Sequence, residues 1–207
     1  MRTVDRFGVF NLTGSQVPWL NALLAHQIKR LDEAVSGRGL NMANDRANAF
    51  VFPGQGSQEV GMGQALADAF PVARAVFDEV DDALGEKLSV LMRDGPKDEL
   101  TLTQNAQPAL MAVSMAVVRV LESECGISVK EHAKFVAGHS LGEYSELAAA
   151  GTFSIADAAR LLRTRGLAMQ AAVPVGEGAM AALLGVGLDV AEKVAAEAAQ
   201  GDEVCQI

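Results

Sequence analysis

The chain alternates short apolar runs with longer stretches of helical period. Ala49-Phe50-Val51-Phe52 is apolar throughout and stops at Pro53-Gly54, which predicts a buried strand. Phe135-Val136-Ala137 predicts a second. A helix is expected from Met62 to Ala69, then another opening on Pro71, where the missing amide costs nothing. The latter carries Val72, Val76, Phe77, Val80 and Leu84 at helical spacing and ends at Gly85. Asp94-Gly95-Pro96 predicts a turn. Pro108 is expected to open a long helix with Leu110, Val113, Val117, Val120 and Leu121 on one face, stopped by Gly126. Further helices are predicted from Gly142 to Ala150, closed by Gly151, and from Ser154 to Ala172, where Ser154 and Asp157 form a capping box. Past the turn-rich stretch 174–178, Met180 to Val186 reads as a strand. Asp189 to Gln200 reads as a helix with Asp189 and Glu192 at its N-cap and N3 positions.

Strands alternating with helices predict an α/β core with parallel strands. Three segments follow: a leader over 1–41, the α/β core over 42–178, and from 179 on the first half of a small α+β subdomain. The leader differs from the rest, with five basic residues against three acidic ones and the only tryptophan, Trp19. Its residues Pro18 to Val35 have a weak amphipathic pattern. That stretch reads either as a docking helix or as a translated upstream segment with the native start at Met42.

Composition narrows the function. Half the residues are apolar and 21% are charged, an ordinary globular balance. No apolar run is long enough for a membrane span. The N-terminus, with Arg2, Asp5 and Arg6, lacks a signal-peptide pattern, so a cytoplasmic protein is expected. Cys125 and Cys205, and His26, His132 and His139, make no metal spacing, so no metal site is expected. The formal charge of −9 disfavours nucleic acid, and an acidic partner would need a local basic patch.

Candidate chemistry sits after the second strand. Gly138-His139-Ser140-Leu141-Gly142 fits G-x-S-x-G between a strand and a helix, the context of a nucleophile elbow. The sharp turn presents Ser140 at a helix N-terminus, where unpaired amides favour developing negative charge. The Leu141 amide is the natural first oxyanion donor. His139 is adjacent to Ser140, so its side chain should diverge and line the pocket rather than act as base. The same string also arises by chance in glycine-rich chains.

The loop after the first strand, Phe52-Pro53-Gly54-Gln55-Gly56-Ser57-Gln58, lies where open α/β sheets build sites, though composition alone reads it as a plain turn. Together with Gly138 to Tyr144, Gln104 to Leu110, Arg163 to Gln170 and Gly178-Ala179-Met180, it resembles the malonyl-CoA:acyl-carrier-protein transacylase family of the discrete bacterial type. The motifs occur in the family's order, from Asn48 to about Gly201. The fold so implied is a hydrolase-like α/β core plus the start of a ferredoxin-like subdomain.

The resemblance implies roles. Ser140 would carry a malonyl ester, the amides of Gln55 and Leu141 would form the oxyanion hole, and Arg165 and His139 would contact substrate. A guanidinium forks onto a carboxylate and cannot be titrated away, so Arg165 suits the free malonyl carboxylate. On residues alone, Arg160, Arg163 and Arg165 read rather as a solvated helix face. The expected reaction is ping-pong transfer of malonyl from CoA to acyl carrier protein in fatty-acid synthesis, by a monomer with no cofactor. The family also implies a histidine base further downstream than the 67 residues that follow Ser140. A C-terminally truncated chain that is inactive or severely impaired on its own is therefore expected. An α/β-hydrolase-type esterase and a non-catalytic fragment are the competing readings.

Overall fold

The computed structural model describes residues 48–173, 176–181, 183, 185–199 and 204–207. The helix expected over Pro18 to Val35 and the start at Met42 lie outside these residues. The described residues fall into two compact units, one ending at Ala179 and one from Met180 onward.

In the first unit, strand β1 (Ala49–Phe52) is followed by helices α1 (Gln64–Ala69), α2 (Pro71–Leu84), α3 (Leu88–Asp94), α4 (Lys97–Thr101) and α5 (Thr103–Cys125). Then come α6 (Val129–His132), strand β2 (Phe135–Gly138), α7 (Gly142–Ala149) and α8 (Ile155–Ala172). The two strands pair in parallel, with Ala49 opposite Phe135 and Phe52 opposite Gly138. A helix-rich α/β fold with short parallel strands is thus observed as the sequence predicts.

Helix α5 is the centre of the unit. It packs against α8 and α2, which also pack on each other. Every residue from Asn105 to Ala112 is buried, so the first half of α5 is enclosed on all sides rather than along the expected stripe. Met111, Met115, Leu162, Val76 and Phe77 meet in the core, each contributing about 2 kcal/mol through burial.

One helix start and three short helices differ from expectation. Helix α5 starts at Thr103, so Pro108 lies inside it instead of opening it. The missing Pro108 amide leaves the Gln104 carbonyl without its helical partner, a loss offset by the surrounding packing. Helices α3, α4 and α6 were not expected, because pieces of four to seven residues carry too little period. Helix α3 is instead organised from outside: buried Asp81 on α2 accepts from the Ser89 amide at 2.8 Å and its hydroxyl at 2.7 Å, and Lys87 adds an ion pair at 3.6 Å. The expected capping at α8 is present, with the Asp157 amide donating to Ser154 Oγ at 3.0 Å.

In the second unit, helix α9 spans Leu188–Ala198. Its cap is Gly187, with no side-chain bond, and Asp189 sits in the first turn rather than at the N-cap. The strand expected over Met180 to Val186 is not formed by the described residues there. A strand exists only as part of a ladder, and among the described residues nothing pairs with this segment.

Candidate functional site

Parallel pairing brings the C-terminal ends of β1 and β2 to one edge, and the loops 53–58 and 139–141 leave there together. The His139 amide donates to the Phe52 carbonyl at 3.1 Å, extending the ladder by one residue. Ser140 then turns into the left-handed region, with φ of 56°, the single non-glycine residue with positive φ among those described. Such a conformation costs roughly 1–2 kcal/mol and persists only where the surroundings enforce it.

Two glycines enforce it by close approach. A Cβ on Gly138 would lie 2.1 Å from the Gly142 carbonyl, and a Cβ on Gly142 would lie 2.3 Å from the Phe52 oxygen. The turn closes through the Gly142 amide to the His139 carbonyl at 2.9 Å, and α7 begins at once. Leu141 is fully buried and anchors the bend, while Ser140 and His139 are exposed. Among the described residues the amides of Gln55 and Leu141 donate to no protein acceptor. On the first loop, a Cβ at Gly54 would lie 2.3 Å from His139 Nδ1, so the imidazole packs directly over that glycine. The expectation that His139 diverges from Ser140 agrees with this placement.

Arg165 reaches the elbow from α8. Its Nη2 donates to Ser140 Oγ at 3.0 Å and its Nη1 to Gln107 Oε1 at 2.6 Å. Its Cζ stands 5.9 Å from the centre of the Tyr144 ring, a cation–π contact, and Tyr144 stacks on Phe153 at 6.4 Å. Gly166 permits the approach: a Cβ there would meet Gln104 Cα of α5 at 2.4 Å. The acceptors around Arg165 are therefore all neutral, and among the described residues it forms no ion pair.

Arg163 behaves differently. It bonds Asn105 Oδ1 at 2.5 Å and is paired with Glu86, and burial lowers the affinity of its guanidinium for its proton. Arg160 bonds the Ala83 carbonyl and Asp157. The three arginines are thus not one solvated face: two are held by protein, and Arg165 points to the serine.

Thr103 was not singled out from the sequence, and Gln107 entered only as part of the Gln104 to Leu110 motif, with no role assigned. Gln107 is fully buried, its Nε2 donating to Thr103 Oγ1 at 3.0 Å and to Met169 Sδ at 3.3 Å. Thr103 Oγ1 donates in turn to Gln55 Oε1 at 2.7 Å. The available signal was their i, i+4 spacing, which is meaningful only if the helix starts before Pro108.

Other groups stand apart from this cluster. His132 ends α6 ahead of β2, at the far end of the strand from Ser140, with its ring against the backbone of Ser128. His26 lies outside the described residues. No group of three metal-ligating side chains occurs among the described residues. Recesses of about 480 Å³, between α2 and α8 and lined by Glu79, Asp82 and Arg160, and about 240 Å³, near Phe77 and Met92, do not include Ser140. Ser140 itself is exposed. No helix among the described residues is long and apolar enough to cross a membrane.

The family model described as the acyl transferase domain matches residues 49–205. The chain is 48% identical over 159 residues to the malonyl CoA-acyl carrier protein transacylase of Bacillus subtilis, covering 77% of this chain and 49% of that one. Among solved structures, the acyl-carrier-protein-S-malonyltransferase of Bartonella henselae matches with a TM-score of 0.69 and 64% identity, covering 73% of this chain and 48% of that one. A malonyl-transacylase solved in complex with a type II PKS acyl-carrier protein matches with a TM-score of 0.66 and 45% identity, over 73% and 48% of the two chains. The chain spans about half the length of the curated relatives it matches.

Proposed function

This chain belongs to the acyl transferase domain family, and from that premise we propose that it takes a malonyl group from malonyl-CoA onto Ser140 for transfer to acyl carrier protein in fatty-acid synthesis. The observation that carries this reading is Arg165: a cation with only neutral protein partners, 3.0 Å from the hydroxyl of a strained elbow. An uncompensated guanidinium beside a nucleophile favours an acyl group that brings its own carboxylate. An acetyl group would leave that charge unpaired.

In the proposed step, Ser140 Oγ attacks the thioester carbon and the carbonyl oxygen becomes an oxyanion. The free amides of Gln55 and Leu141 are its proposed donors. The carbon–sulfur bond then breaks, CoA leaves as the thiol, and the thiol of the carrier protein later reverses the sequence on the ester. His139, exposed beside Ser140, is proposed to contact substrate. The serine proton needs an acceptor. Among the described residues Ser140 Oγ is bonded to Arg165 and to no imidazole, so the chemistry requires a base from outside them. No metal or redox cofactor enters this scheme, and we propose a cytoplasmic monomer.

The test is labelling of Ser140 by malonyl-CoA or acetyl-CoA with imidazole added as external base, read by peptide mass spectrometry. The expected result is a malonyl ester on Ser140, little acetyl ester, and none on the Ser140→Ala variant. Equal labelling by both thioesters, or labelling that survives Ser140→Ala, would overturn the reading.

A further inference from the structure

Four side chains form one hydrogen-bonded line across the site. Arg165 Nη1 donates to Gln107 Oε1, Gln107 Nε2 donates to Thr103 Oγ1, and Thr103 Oγ1 donates to Gln55 Oε1, over 2.6, 3.0 and 2.7 Å. The direction of this line follows from its members. A guanidinium has only donors, so the Gln107 amide must turn its oxygen toward Arg165. Its NH₂ must then find an acceptor in a fully buried position. The Met169 sulfur is a weak acceptor, which leaves the Thr103 hydroxyl as the strong one. That hydroxyl has its proton free for Gln55, on the loop whose amide faces the proposed reaction.

We infer that Thr103 is a positioning residue: its hydroxyl fixes the orientation of the Gln107 amide, and through it the guanidinium of Arg165, while tying the 53–58 loop to the same point. The inference rests on the proposed function only for its consequence in catalysis. Without the hydroxyl, the Gln107 NH₂ loses its strong acceptor and a flip of the amide would set donor against donor at Arg165. Arg165 would then be loosened while the core remains packed. Thr103 lies at the first turn of α5, and valine keeps its shape.

The experiment compares the full chain with Thr103→Val and Thr103→Ser. In guanidinium nitrogen NMR, a held Arg165 gives two resolved Nη environments, assigned by their loss in Arg165→Lys. Resolved signals are expected for the parent and for Thr103→Ser, and one averaged signal for Thr103→Val. Averaged signals in the parent, resolved signals in Thr103→Val, or a serine variant that behaves like valine would overturn the inference. A second arm measures binding of malonyl-CoA and acetyl-CoA. Thr103→Val is expected to weaken malonyl-CoA roughly tenfold, as for loss of a buried charge-linked hydrogen bond, and acetyl-CoA less than about twofold. Equal weakening of both would show a structural role only and would defeat the positioning assignment. If every version gives the expected spectra but none binds malonyl-CoA, the proposed function falls while the positioning of Arg165 by Thr103 stands.

Discussion

Arg163 and Arg165 leave α8 two residues apart, and so roughly 200° apart around its axis. One face of the helix turns Arg163 into a cage of Asn105 and Glu86, partly buried and with its charge matched by a carboxylate. The other face turns Arg165 toward Gln107, Ser140 and the Tyr144 ring, where every partner is neutral. The residue type and the helix are the same, yet one cation fastens α8 to its neighbours and the other keeps its charge available. What separates a structural arginine from a substrate-binding one is therefore whether the protein has already supplied an anion.

The most severe way to break this contrast acts on both faces at once. Gly166 lies between α8 and the start of α5, and a Cβ there would stand 2.4 Å from Gln104 Cα and 2.9 Å from its amide nitrogen. Gly166→Ala would gain about 1 kcal/mol of helix propensity, but the clash is with backbone and cannot relax cheaply. A net loss of about 3 kcal/mol is expected in urea denaturation, together with loss of malonyl-CoA binding. Full stability in this variant would mean that the helices are not in the contact described.

Separating the faces comes next. Arg165→Met should reduce malonyl-CoA affinity about a hundredfold, equivalent to about 2.7 kcal/mol, because the substrate carboxylate then lacks its partner. Stability should fall by only about 1 kcal/mol, the cost of leaving the buried Gln107 oxygen without its donor, since the side chain closes no ion pair. Arg163→Met should give the reverse pattern: a loss of about 2 kcal/mol of stability from charge-assisted hydrogen bonds, with the preference for malonyl-CoA over acetyl-CoA kept. If the two variants gave the same profile in binding and denaturation, the distinction between them would be lost.

Much of this site was legible before any coordinates. The apolar runs at 49–52 and 135–137, followed by glycine-flanked loops, are enough to predict two strands and the elbow, because a buried strand and a tight bend each leave a local mark. The choice among Arg160, Arg163 and Arg165 was not legible from residues alone. It depends on Glu86, Asn105 and Gln107, which chain folding brings to α8 from far away. Thr103, and the role of Gln107 within its motif, were hidden by a sound local rule: Pro108 usually opens a helix, and here enclosure by neighbouring helices carries the helix five residues further back. The opposite happened at Met180 to Val186, where an apolar run reads as a strand but has no partner strand among the described residues.

The contrast has a mirror image of opposite charge on α7, and it gives the smallest expected effect. Glu146 forms no ion pair among the described residues; burial pushes its carboxyl up first, the negative charge of Glu143 adds to this, and the Gly138 amide pulls part of the way back. A carboxyl whose folded-state proton affinity is raised stabilises the fold while protonated. That contribution is fully present below the unfolded-state pKa and is lost as pH rises through the folded value, so at neutral pH the group is a mild liability. Glu146→Gln should therefore stabilise the protein at pH 7 relative to the parent, with the difference disappearing as pH falls below the ordinary glutamate range. Because the group is only partly buried, the gain should stay below about 0.5 kcal/mol after screening. Urea denaturation across the acid limb measures it. A variant less stable than the parent at pH 7 would mean that the pull of the Gly138 amide on the carboxylate outweighs burial and the repulsion by Glu143.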